Sequence, residues 1–495
     1  MKWLKLLHGM VWGPWTLVIF LGTGLFLTVK CRFFQFRGFS FWWNATAGAL
    51  MNSRKNNRRK KQEKNGTHLE SISQFQSVCT ALAATVGTGN IAGVATALTA
   101  GGPGALFWMW ISAFIGMITA YAETCLGICC RLREPDGRFL CGPFLYMEHG
   151  LKVPFMAILY STLCVMCALG MGSMVQANSA VTALSFTFDL PLWLLAVCFT
   201  LLTGAVIRGG IQSIGRTAER LIPAAAAIYV LFSLIVILSS LSVLPGVLRD
   251  IFDSAFHIRA AAGGAGGFLI SRSVRYGIAR GVFSNEAGLG TLAVLHGPAE
   301  HTTPEKQGMW AMFEVFFDTI VLCTLTALVI LCMAETASPG LDFLPYEGSA
   351  LAAWAFKCRL GNPGEAFISA SMAVFAFATV IAWFYLGKQA VRYLTIRCFL
   401  PAFFSRFLYP FCFLSAVLAG GMIRSEAVWL FSDLWNGLMA FPNLTALLFL
   451  SGEIPLPGRW GKKPDRSDVP LNRKNASPDD DTFFLEKSII KREES

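Results

Sequence analysis

The run Ala81-Leu82-Ala83-Ala84-Thr85-Val86-Gly87-Thr88-Gly89-Asn90-Ile91-Ala92-Gly93-Val94-Ala95-Thr96-Ala97 is apolar at both ends and glycine-rich and polar in the middle. The surrounding segment, 73–98, is long enough to cross a hydrocarbon core of about 30 Å as a helix rising about 1.5 Å per residue. Glycine inside a helix costs about 1 kcal/mol relative to alanine. Backbone freed at membrane depth must be satisfied within the protein or by a bound solute. The sequence therefore predicts a membrane helix interrupted at Gly87-Thr88-Gly89-Asn90. Close helix packing accounts for Gly93 and for Gly101, Gly102 and Gly104, but it does not require Asn90.

A second interruption, Phe283-Ser284-Asn285-Glu286-Ala287-Gly288-Leu289-Gly290, falls within an otherwise helical stretch over 266–296. Paired interruptions point to a transport site. The N-termini of half-helices offer N–H groups to a carboxylate, and unwound carbonyls coordinate a cation.

Composition agrees with a lipid-embedded chain. Of 495 residues 54% are hydrophobic and 14% charged, against about 25% charged in a soluble domain. Apolar runs predict eleven helices at about 11–30, 73–98, 104–130, 154–187, 192–207, 219–243, 266–296, 309–334, 365–386, 403–423 and 427–451. The fold class is an all-α polytopic membrane protein. Its net charge of +11 is concentrated in short segments between apolar runs, where cations orient the chain rather than bind nucleic acid. Clusters at Arg54–Lys64, Arg131–Lys152, Arg208–Arg220, Lys388–Arg397 and Arg459–Lys463 place the N-terminus outside and the C-terminus in the cytoplasm. The loop with Glu335, Asp342 and Glu347 lies outside. Only Lys2 and Lys5 run against this orientation. The first helix carries no small-residue cleavage site and reads as retained. Residues 464–495 are too polar to bury a core and read as disordered.

Chemistry-bearing residues outside the interruptions are few. Gln176 lies mid-span, either as interhelical glue or as a substrate contact. Glu314 and Asp318, four apart, share a helix face; they are functional acids or partners of Arg275 or Arg280. Glu123 reads as a structural partner for a basic loop. Thr379 and Trp383, also four apart, could line a small cavity. Cys164 and Cys167 form a CxxC without a second pair or a histidine ligand, so no metal site is assigned. The six histidines read as loop or span-end residues. With no nucleophile–base pair and no phosphate loop, an enzyme or an ATP-driven pump is disfavoured.

The first interruption and the following Gly101-Gly102-Pro103-Gly104-Ala105-Leu106-Phe107-Trp108-Met109-Trp110 closely resemble the signature of the alanine or glycine:cation symporter family. Further matches are Gly142-Pro143, Met174 to Ser179, Arg275 to Gly290, Met312 to Phe316, Cys323 to Leu328 and Leu438 to Leu444. The resemblance implies an amino-acid-transporter fold of two inverted five-helix repeats after one extra helix. The divisions would be 1–30 (extra helix), 31–70 (basic cytoplasmic loop), 71–245 and 246–452 (repeats), and 453–495 (tail). It implies sodium ligands at Ala83, Thr85, Val86, Asn90, Ser284 and Thr379, and substrate contacts at Thr85, Gly87, Thr88, Gly89, Gln176, Phe283, Asn285 and Trp383. Departures from the family pattern are Lys388 in place of an acid, Ala378 in place of a hydroxyl and Ala120 in place of a lysine.

The function expected is symport of a small neutral amino acid, alanine or glycine, with D-alanine or serine also compatible. Sodium is the coupling ion, no cofactor is needed, and the location is the inner membrane, in contact with lipid. Proton coupling through Glu314 and Asp318, or an amino-acid channel or receptor without coupled flux, are the alternatives.

Overall fold

The computed structural model describes residues 7, 9–49, 72–134, 137–256, 265–337, 346, 348–423 and 425–457. The first long helix, α1 (Gly9–Lys30), is followed by an interrupted one, α2 (Gln74–Thr85) and α3 (Ala92–Gly101). Four more helices follow: α4 (Gly104–Cys129), α5 (Pro154–Phe188), α6 (Leu192–Ile207) and α7 (Gly210–Leu238). A short α8 (Leu244–Phe256) leads to a second interrupted pair, α9 (Ala265–Asn285) and α10 (Thr291–His296). Then come α11 (Pro304–Ala337), a short α12 (Gly348–Leu360), α13 (Asn362–Arg397), α14 (Phe404–Met422) and α15 (Val428–Gly452). Each interrupted helix is thus followed by four helices of 16 residues or more. A two-stranded hairpin, β1 (Leu132–Arg133) and β2 (Phe139–Leu140), links α4 towards α5.

Local sequence sets the ends of these helices. Ser73 and Gln76 form a reciprocal capping box at the start of α2, with Ser73 Oγ accepting from Gln76 N–H and Gln76 Oε1 accepting from Ser73 N–H. Pro154, Pro304 and Pro363 sit in the first turns of α5, α11 and α13, where proline's missing N–H is not needed.

Among the described residues, eight helices are long and apolar enough to span a membrane, or nine when the pair α2 and α3, bent by 52°, counts as one. Eleven were expected, and the other two expected segments correspond to α6, which is shorter at 16 residues, and to the pair α9 and α10, which is rich in Arg, Ser and Gly. The sixth expected helix starts earlier, at Gly210, and the ninth runs on to Arg397. Within the segment expected to be a basic loop, Phe34–Arg37 and Phe39–Ala45 are helical. Phe34 and Trp42 pack inward from them: Phe34 lies 5.4 Å from Tyr121, and Trp42 lies 6.0 Å from Phe316, ring to ring. The cluster 54–64 and the tail 464–495 lie outside the described residues.

Packing sorts the helices into two neighbourhoods. The helix α4 lies against α9 and the first part of α11, and α3 against α9. The helix α5 packs on α13 and α15, and α6 on α14. The helix α2 touches both groups, the first through the start of α11 and the second through α13, so its interruption sits where they meet.

Candidate functional site

In an unbroken helix the N–H groups of Gly87 and Thr88 would bond to the carbonyls of Ala83 and Ala84. Here Gly87 N–H donates instead to Asn90 Oδ1 at 3.0 Å, and Thr88 N–H to Gln176 Oε1 at 3.2 Å. Those two carbonyls lose their helical donors, and the chain turns over Gly87 to Asn90 before α3 begins. A methyl group added at Gly87 would stand 2.7 Å from Thr379 Oγ1 and 3.2 Å from Gln176 Oε1. The absent side chain is what leaves room between α13 and α5. Gln176 reaches the interruption from the end of a wider, π-helical stretch in α5, Gly170–Val175.

The second interruption meets the first directly, since a Cβ at Gly89 would lie 3.4 Å from both Phe283 Cδ1 and Ser284 Cα. Ala287 N–H turns to Asn285 Oδ1 (3.1 Å), which frees the Phe283 carbonyl of its helical donor. Gly288 and Gly290 have φ of +89° and +81°, a conformation that glycine adopts without steric cost. Glu123 of α4 fixes the far side of this turn, accepting from Gly290 N–H and from Asn443 Nδ2, both at 3.0 Å. Asn443 also donates to the Gly288 carbonyl, and Tyr160 donates to that of Leu289, each at 2.9 Å.

Asp318 ties the two interruptions together. Its Oδ1 accepts from Asn90 Nδ2 at 2.6 Å, and its Oδ2 accepts from Ser284 Oγ at 2.7 Å and Thr319 Oγ1 at 3.0 Å. Asp318, Asn90, Ser284 and Thr319 are all essentially inaccessible. Because Ser284 donates to Asp318 and Thr379 Oγ1 donates to the Phe375 carbonyl at 3.0 Å, the hydroxyl hydrogens are committed and the oxygen lone pairs remain for a cation. Neutral oxygens are suitable ligands for a hard ion.

Aromatic side chains bound the region. Trp383 is fully buried, packs against Gly172 and donates its indole N–H to Glu286 Oε1 at 2.9 Å. Phe283 lies 5.4 Å from Trp429, ring to ring, and Arg280 stacks on both rings while pairing with Asp433 at 3.1 Å.

The structure brings Gly87, Thr88, Gly89, Asn90, Gln176, Ser284 and Thr379 together around one junction, with Ala83 and Val86 supplying backbone at the end of α2. It places others differently. Thr85 directs its hydroxyl at its own helix, 3.4 Å from the carbonyls of Ala81 and Leu82. Asn285 uses its amide on Thr319 Oγ1 and Ala287 N–H, so it holds the turn together. Arg280 pairs with Asp433 rather than with Glu314 or Asp318. The latter two do not act as a pair, because π-helical turns begin at Phe316 and separate their directions; Glu314 bonds buried His296 at 3.0 Å. That histidine is the last residue of α10, a span end as expected, and is fully buried. Glu123 serves the second interruption and not a basic loop. The bridging role of Asp318 and the capping role of Glu123 were missed. The one signal for both was an acid inside an apolar span.

A polytopic helical protein with two interrupted helices joined at a buried polar junction belongs among membrane transporters. The chain is a member of the sodium:alanine symporter family, whose pattern it matches over residues 1–455. It is 37% identical over 450 residues to an uncharacterized transporter of Haemophilus influenzae, covering 90% of this chain and 93% of the relative. It is 36% identical over 455 residues to the sodium/alanine symporter AgcS of Methanococcus maripaludis, covering 90% and 94%. A probable sodium/glutamine symporter of Bacillus subtilis, GlnT, is 32% identical over 444 residues, covering 90% and 87%. The family consists of symporters, not enzymes, and takes an amino acid with sodium as its co-substrate.

Proposed function

We propose that this chain imports a small neutral amino acid, alanine or glycine, by coupling it to sodium. The observation that carries this is the junction at Gly87, where a missing side chain leaves room between Thr379 and Gln176 beside the Asn90–Asp318–Ser284 cluster. Sodium would be held by the freed carbonyl of Ala83 and the carbonyl of Val86 with Asn90, Ser284 and Thr379. The zwitterion would lie between the interruptions, its carboxylate towards N–H groups at the start of α3. Gly87, Thr88, Gly89, Gln176, Phe283 and Trp383 would line its space. The two sets of five spans would act as repeats, one neighbourhood rocking against the other. No cofactor is required. The alanine symporter among the relatives supports the substrate class, and the glutamine symporter among them makes side-chain size the feature to test.

Uptake of labelled alanine, glycine and glutamine into proteoliposomes, with imposed sodium or proton gradients, decides among these readings. We expect sodium-driven accumulation of alanine or glycine above the equilibrium level. Flux that only dissipates a gradient would establish a channel, and binding without flux a receptor.

Gln176 contributes its own test, because it accepts from Thr88 N–H. In Gln176→Leu that buried donor loses its partner, at about 1–3 kcal/mol. Amino-acid affinity, measured calorimetrically, should fall at least several-fold while the protein remains monodisperse. Unchanged affinity would leave Gln176 as interhelical glue.

The inner-membrane orientation, N-terminus outside and C-terminus cytoplasmic, rests on the cation clusters. It predicts that Arg58→Cys and Lys463→Cys are protected from an external impermeant thiol reagent, whereas Asp342→Cys reacts. The background first needs replacement of the exposed Cys129, Cys198, Cys358, Cys398 and Cys412. External labelling at Arg58→Cys would reverse the assignment.

A further inference from the structure

Beyond Thr379 and Trp383, the next turns of α13 line a cavity of about 250 Å³. Its walls come from four parts of the chain: α13, the β2 hairpin at Arg138, the α6–α7 turn with the start of α7 from Arg208 to Ile214, and Pro298 just after α10. Four of the lining side chains are cationic, namely Arg138, Arg208, Lys388 and Arg392, and none is a carboxylate. Just outside the lining, Glu134 pairs with Arg392 at 2.7 Å. Lys388 is partly buried, with its ammonium 5.9 Å from the centre of the Phe384 ring. Among the described residues, no carboxylate forms an ion pair with Lys388 or Arg208.

Four cations around one enclosure whose lining holds no carboxylate raise a local positive potential, which low-dielectric walls focus. A cation on its way through the protein gains nothing here, whereas an anion relieves the repulsion. Guanidinium groups present planar forks of N–H donors that match the oxygens of a tetrahedral oxyanion, and an ammonium adds a compact point charge. The volume suits a small anion with part of its hydration shell and is too small for a macromolecular partner.

We propose that this cavity is a binding site for a phosphate-type oxyanion, supplied either as free phosphate or as the headgroup of an anionic phospholipid. The bound anion bridges Lys388 and Arg392 of α13 to Arg208 in the α6–α7 turn and to Arg138 on the hairpin. Since Pro298 at the end of the second interrupted helix closes the same enclosure, occupancy favours conformations that keep these elements together. The site is separate from the Gly87 junction, and it stands or falls independently of the substrate assignment.

The test uses the purified full-length protein in neutral detergent, with thermal unfolding followed at constant sodium concentration and ionic strength. Inorganic phosphate, chloride and a short-chain phosphatidic acid are titrated separately. A ligand that binds only the folded state raises the midpoint saturably. We expect such a rise with phosphate or with the phosphatidic acid, and which of the two produces it identifies the source. Lys388→Gln and Arg208→Gln should each raise the half-saturating concentration roughly tenfold, the scale of a lost charged contact. Lys388→Arg should retain binding, and amino-acid affinity in all three variants should match the parent, which establishes that they are folded. An equal rise with chloride, no rise with either phosphate compound, or a rise that neither glutamine variant weakens would overturn the proposal.

Discussion

Gly87→Ala should weaken amino-acid binding by roughly 5- to 150-fold, the equivalent of about 1–3 kcal/mol for forcing a methyl group into a filled space. The backbone at Gly87 has φ −129° and ψ −155°, an extended conformation open to any residue. Alanine is therefore not excluded by the backbone, and the cost lies in what the methyl meets: Thr379 Oγ1 at 2.7 Å and Gln176 Oε1 at 3.2 Å. Those are the oxygens assigned to sodium and to the junction, so the effect should appear in binding while the fold survives. Two other glycines act as controls. Gly93 was expected to serve close packing, but a methyl there meets nothing within 4 Å, so it should tolerate alanine with a small gain in helix stability, about 1 kcal/mol at most. Gly290→Ala should fail to accumulate as folded protein, because its φ is +81° and the new Cβ would lie 2.4 Å from Pro143. Calorimetric titration of purified Gly87→Ala and Gly93→Ala is the measurement. Parental affinity in Gly87→Ala would remove Gly87 from the site.

Both interruptions were legible in the sequence because glycine and polar residues at membrane depth break the apolar pattern at identifiable positions. Gln176 stood out for the same reason. What each polar group bonds to was not legible. Asp318 meets Asn90, 228 residues away, and Ser284, 34 residues away, and a choice of partner across such distances is fixed only when the helices pack. Reasoning from helical spacing put Glu314 and Asp318 on one face, but the π-helical turns from Phe316 to Cys323 alter the angle per residue and defeat that argument. Arg275 and Arg280 were equally plausible counter-ions on charge alone. The pairing of Arg280 with Asp433 depends on α15 lying alongside, where Trp12 of α1 also donates to the Asp433 carbonyl at 2.8 Å. Span ends were blurred for a related reason. The helix α7 carries Arg216, Glu219 and Arg220 in its first turns, which read as loop, yet it is anchored there by a bond from Gln76 to Glu219 at 2.9 Å.

The sodium assignment makes the remaining prediction, and it separates ligands from their support. If Asn90 and Thr379 each supply one oxygen to the ion, Asn90→Ala and Thr379→Val should raise the sodium concentration for half-maximal uptake. The loss of a contact to a charged group, about 1.5–3 kcal/mol, corresponds to roughly 10- to 150-fold. Asp318→Ala should be at least as severe, because it leaves Asn90 Nδ2, Ser284 Oγ and Thr319 Oγ1 without their shared acceptor and releases both interruptions from each other. Linkage requires that the deficit be reciprocal. Apparent amino-acid affinity in Asn90→Ala and Thr379→Val should therefore be poor at low sodium and should recover as sodium rises. Glu314→Gln, whose parent carboxylate bonds His296 at 3.0 Å away from this cluster, should keep the sodium dependence of the parent. Uptake measured against sodium at several fixed amino-acid concentrations contains all of these comparisons. Transport by the parent that follows a pH gradient and ignores sodium would dissolve the assignment of Asn90 and Thr379. It would leave Asp318, the carboxylate that bonds both interruptions, as the group to examine for proton coupling.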